Sequence, residues 1–147
     1  MAAFVKINDW AKNACTTANL ATDQFVVALT NTAPGSESSP PTTDGNGVLA
    51  NLTQISYTNC STRNFTTTSF NQASGVAPLI LADLTLTASG GSFGPFRYLY
   101  LYSDTPTSPA DPLVGYWDHG SAVTIPDGGS YVIDSDQING IWAHTVS

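Results

Sequence analysis

The chain has 147 residues, 41% of them hydrophobic, and carries a net charge of −7 with only 10% charged residues. Those values fit a single domain that buries about two-thirds of its unfolded surface. They exclude nucleic acid as a natural partner, because Lys6, Lys12, Arg63 and Arg97 are the only cations and do not cluster.

The charged fraction lies far below the ~25% of typical soluble domains. Ser, Thr and Asn take the place of charges, which suits β-structure and contact with neighbours. The chain shows no secretory leader pattern and no apolar run near the ~20 residues that cross a bilayer, so neither secretion nor a membrane partner is expected. Cys15 and Cys60 are too few and too far apart for a disulfide framework or zinc site, and both are expected free and buried, as in a reducing cytosol.

Residues 1–12 read as a possible N-terminal arm. Asn8 or Asp9 is placed to cap a short helix whose apolar spacing runs through Trp10, Ala11, Ala14 and Cys15. Gln24 to Thr30 has the β-branched density of a buried strand. Residues 33–47, rich in Pro, Ser, Thr and Gly, form a long exposed loop. Leu49 to Ile55 is ambiguous between a helical turn and a strand, and Asn64 to Phe70 suits an extended strand. Leu79 to Ala88 alternates, with Ile80, Ala82, Leu84, Leu86 and Ala88 expected to face the core.

Gly90-Gly91 and Gly94-Pro95 lead into the segment Gly94 to Asp104. There Phe96, Tyr98, Tyr100 and Tyr102 share one parity, and Arg97, Leu99 and Leu101 the other. A strand apolar on both faces belongs inside a sandwich or at a subunit contact. The candidate interface residues are accordingly Phe96, Tyr98, Tyr100, Tyr102, Trp117 and Trp10. Thr105 to Pro112 is a proline-rich loop. Leu113 to Asp118, Ala122 to Ile125 and Ser130 to Asp134 follow as short strands, with Asp127-Gly128-Gly129 turning into the last, and Ile138 to Val146 supplies a final strand with Trp142. Six to eight short strands with one small helix predict an all-β antiparallel sandwich or barrel-like domain over 1–147.

Catalytic and metal constellations are weak. The aspartates at 104, 111, 118, 127, 134 and 136 sit beside Gly, Pro and strand ends, where Asp makes turn hydrogen bonds. No calcium loop closes on a Glu. Asp118-His119 has no nucleophile elbow to serve, and no local signature pairs Cys60 with a histidine. No catalytic, cofactor or metal residues are assigned, no cofactor is expected, and the chain is not read as an enzyme.

Four phrases and an acidic segment carry a resemblance: Val27 to Pro34, Leu81 to Gly91, Gly94 to Thr105, Asp111 to Ser121, and Asp127 to Asp134. Together they resemble small structural virion proteins of tailed bacteriophages, of the head decoration or cement kind. Residues 36–46 and the aromatic weight of Tyr98 to Tyr102 depart from that pattern. The resemblance implies a virion location on the capsid surface after synthesis in the host cytoplasm. It also implies the major capsid protein as partner, self-association as a homotrimer, and no catalytic residues. The other readings are a tail, neck or fibre-associated component, and a carbohydrate-binding module in which the aromatic row stacks on sugars.

Overall fold

In a computed structural model, which describes residues 2–146, nine antiparallel strands and one short helix form an all-β sandwich. Strand β1 (Val5–Lys6) leads into helix α1 (Trp10–Thr16) and β2 (Phe25–Thr30). After the long loop and a 3-10 turn at Leu49–Asn51 come β3 (Thr67–Ser69), β4 (Val76–Leu81) and β5 (Leu84–Thr87). The long central strands β6 (Phe93–Ser103) and β7 (Leu113–Ile125) precede β8 (Ser130–Ile133) and β9 (Trp142–Thr145). One sheet runs β1-β7-β6-β2. Opposite it lie β3-β4-β9 and β5-β8.

Every residue of β2 is buried, as its run of Phe, Val, Ala and Leu requires of a strand covered on both faces. The main core fills the space between the sheets with Phe25, Val27, Leu29, Leu79, Leu81, Leu86, Leu99, Leu101 and Ile133, and Trp10 of α1 plugs one end. A second cluster lies on the other face of the four-stranded sheet: Ile7, Val26, Ala28, Tyr98, Tyr100, Tyr102 and Leu113, covered by Leu49 and Leu52.

Several expectations need correction. The alternation from Leu79 to Ala88 is not one strand. Its inward residues are Leu79 and Leu81, then Leu84, Leu86 and Ala88, whereas Ile80 and Ala82 are only half-buried. The chain leaves one sheet at Leu81 and enters another at Leu84, and that odd step reverses the face. Conversely, the two short strands expected within Leu113 to Ile125 are one long β7, interrupted by bulges that leave its pairing with β6 irregular.

Residues 33–47 are for the most part exposed, as expected of that loop. The chain that leaves it folds back as a strap over the tyrosine face, tied by Leu49 N–H to Asp111 C=O (3.0 Å), Leu113 N–H to Gly47 C=O (2.9 Å) and Thr30 Oγ1 to Thr53 C=O (2.6 Å). Residues 2–12 likewise lie along the domain: β1 pairs with β7, and Ile7 and Trp10 are buried. Neither Asn8 nor Asp9 caps α1 with its side chain. The Asp9 carboxylate instead accepts from the backbone N–H of Gly45 (2.9 Å) and Gly47 (2.8 Å), and Asn8 donates to Asp44 (3.0 Å). Both side chains are therefore spent on clasping the strap.

Candidate functional site

The six aromatic residues singled out as an interface are interior. Trp10, Phe96 and Tyr100 have no exposed surface, and Tyr98, Tyr102 and Trp117 keep 7%, 5% and 5%. The tyrosine row is covered by the chain's own strap, so it offers nothing to a sister subunit or to a sugar ring. The carbohydrate platform built on that row is thereby lost. Burial, and next the neighbouring Glu37 carboxylate, push the Tyr100 hydroxyl far above its ordinary pKa.

Phe96 does not even share the row's face. Between Phe96 and Tyr98 the register on β7 jumps from Val123 to Asp118, and the bulge turns the strand. Phe96 packs in the main core against Phe93 (5.9 Å between centroids) and Tyr131 (5.3 Å).

The polar residues of the same region are engaged structurally. Arg97 meets Asp118 in a two-pronged pair of 2.8 and 2.9 Å, and Gly120 N–H donates to the same carboxylate (2.7 Å). The Arg97 hydrogen bonds, then the Gly120 N–H, hold Asp118 down to about 2. His119 turns away to Tyr131, its Nδ1 lying 2.9 Å from the hydroxyl. Asp118 and His119 thus serve different partners, and Cys60 contributes to neither. Burial raises the Cys60 thiol above its usual range. Both cysteines are free, but Cys15 is exposed and Cys60 only half-buried, contrary to the expectation that both are hidden. Cys15 Sγ instead lies 4.0 Å from His144 Nδ1, a proximity across 129 positions that no local spacing announces.

The acidic C-terminal half behaves as turn chemistry. Asp136 accepts from the N–H groups of Ile138 (2.9 Å) and Asn139 (2.8 Å) and from the Asn139 side chain (3.0 Å). The Asn139 contacts hold its carboxyl below the ordinary range. Asp127 accepts from Gly90 N–H (3.0 Å), and Asp83 from Ser135 N–H (3.0 Å). Asp111 is raised instead, by burial and then by the charge of Asp104. Among the described residues no three His, Cys, Asp or Glu side chains gather at metal-holding distance, and no helix is long and apolar enough to cross a membrane.

Two surface features remain after the interior is accounted for. The first is the outer face of β3-β4-β9. Leu79 points inward, so Val76, Pro78 and Ile80 point outward on β4, with Ala143 opposite Pro78 on β9. Val76 is 37% exposed, and Val146, whose N–H bonds to Gly75 C=O just before β4, is 83% exposed. The second is a groove of about 460 Å³ between β1 and the loop that leads into β9. Phe4, Lys6, Trp117, Asp134, Asp136 and Ile141 line it.

Sequence reasoning missed both features. The outward face is hidden by the parity switch after Leu81, and the groove joins opposite ends of the chain. No protein-family model matches this chain, and comparison with curated proteins and with solved structures finds no significant match to either.

Proposed function

We propose that this protein is a structural component of a tailed-phage virion that decorates and cements the outer head surface. The observation that carries the reading is the outward apolar face of β3-β4-β9, with Val76, Pro78, Ile80 and Ala143, and with Val146 exposed just beyond β9. Val5 and Val132 stand exposed singly on other strands, whereas here several apolar side chains share one sheet face, which gains by being covered. The resemblance supports the same reading in a particular way. Its phrases fall on β2, β5, β6, β7 and β8, the strands that build the scaffold, and they leave the contact face free to follow its partner.

A cement needs only modest adhesion per copy. Packed DNA strains the joints between capsid subunits, and a rigid domain bridging a joint adds buried area there. A few kcal/mol from each of many copies is enough, because the shell presents its sites together. Homotrimers at local threefold positions match the symmetry of such a lattice. With few charged side chains on the surface, little side-chain entropy is lost on contact.

The deciding experiment is co-sedimentation of purified protein with expanded empty heads and, separately, with isolated tails. Saturable binding to heads supports the reading. Binding to tails alone moves the protein to the tail or neck, and binding to neither removes it from the virion surface.

A further inference from the structure

The groove beside β1 lies along a strand edge whose outward backbone groups have no described partner. Ile7 N–H bonds to Val114 C=O at 3.0 Å, and Val5 stands opposite Tyr116. In an antiparallel ladder the hydrogen-bonded pairs alternate, so the N–H and C=O groups of Phe4 and Lys6 turn away from β7, on the open edge of a strand that lines the groove. A short edge of this kind is a template for one more strand.

The walls of the groove say what that strand should carry. Phe4 and Trp117, 4.5 Å between ring centroids, and buried Ile141 supply an apolar floor. Opposite β1 stand the carboxylates of Asp134 and Asp136, both exposed. The one cation of the groove, Lys6, holds its ammonium over the Trp142 ring at 5.1 Å. Asp136 is already committed to Ile138 and Asn139, which leaves Asp134 as the carboxylate open to an incoming charge. The chain as a whole adds a net charge of −7.

We infer that this groove binds an extended segment of a partner protein, added as a strand to the outer edge of β1, with apolar side chains on the Phe4–Trp117 floor and a basic side chain against Asp134. The main-chain pairing supplies affinity, and the alternation of apolar and basic residues supplies the choice of segment. The edge, its apolar floor and Asp134 are present whether or not the protein sits on a capsid.

The test uses the full chain and amide-resolved NMR. The probes are a capped five-residue peptide alternating valine and lysine, the same peptide with glutamate for lysine, and the lysine peptide with alternate backbone amides N-methylated. The lysine peptide is expected to shift resonances at positions 2–6, 115–118 and 134–141 and to slow exchange at the Phe4 and Lys6 amides. Asp134→Asn should weaken it about threefold with an unchanged melting temperature, as loss of an exposed charge pair does. The glutamate peptide should bind about tenfold more weakly than the lysine peptide. Equal binding of the N-methylated peptide would overturn the inference, since plain charge attraction would then account for everything. So would shifts scattered away from the groove, the absence of binding, or self-association of the protein through β1, which would make a second copy the occupant.

Discussion

Arg97 and Asp118 show how a local pair sets a pH dependence without anchoring the fold. The guanidinium grips the carboxylate from 2.8 and 2.9 Å while both side chains remain partly exposed, a setting in which ion pairs contribute little to stability. The folded carboxyl sits at about 2, below an unfolded value of about 3.9. Its contribution is therefore complete above the unfolded value and is lost as pH falls from about 4 towards 2. An NMR titration of the Asp118 carboxyl should place its midpoint near 2. Arg97→Gln should raise that midpoint while leaving it below the ordinary range, because the Gly120 N–H still donates to Asp118. An unchanged midpoint in the variant would show that Arg97 is not the cause.

At the scale of elements, the strap of residues 31–55 and the edge strand β1 are held by specific close approaches. Asp9 receives the N–H groups of Gly45 and Gly47, and a side chain at Gly47 would meet Asp9 Oδ2 at 2.8 Å and Ile7 at 2.9 Å. Asp9→Ala should cost about 1.5–3 kcal/mol in chemical denaturation, the range for hydrogen bonds to a charged group. It should also speed hydrogen exchange at Gly45 and Gly47 before the rest of the domain opens. Uniform exchange across the molecule would mean that the strap is not a separable unit. Gly115 has a matching role under β1, where a Cβ would run into the Val5 carbonyl and the Phe4 ring. Gly115→Ala is expected to detach β1 selectively. The readout is faster exchange at Ile7 together with altered Trp117 fluorescence, because Phe4 leaves the indole it now touches. Retention of both signals would show that the strand can shift to make room.

For the whole molecule, the arrangement separates scaffold from surface. Most of the tyrosines and tryptophans stabilise the interior, and the large apolar residues left outside are aliphatic ones: Val5 on β1, Val76 on β4, Val132 on β8, and Ile138 and Val146 in the segments around β9. If the outer face of β3-β4-β9 is the adhesive one, Val76→Asp combined with Val146→Asp should leave the folded state within about 1 kcal/mol, because both side chains are already exposed. The same pair should abolish co-sedimentation with empty heads, the loss being repeated in each subunit of a homotrimer. Full binding by a folded double variant would assign the contact to another face.

Some of this organisation was legible in the residues taken in order. The all-β class followed from short apolar runs divided by Gly, Pro and Asn. Helix α1 followed from the spacing of Trp10 and Ala14, the buried β2 from its unbroken apolar run, and the turn at Asp127-Gly128-Gly129 from backbone preferences that act over a few residues. Those signals are local, and the chain carries them whatever it packs against. The tertiary structure alone decided which apolar surface stays inside. Parity predicts a shared face only while the strand is regular, and the bulge on β7 carried Phe96 away from Tyr98, as the step from Leu81 to Leu84 reversed β4 against β5. The covering of the tyrosine row by Leu49 and Leu52, the meeting of Cys15 with His144, and the groove joining Phe4 to Asp134 all join segments distant in sequence. Periodicity carries no information about such meetings, because they arise only when loop closure brings remote segments together.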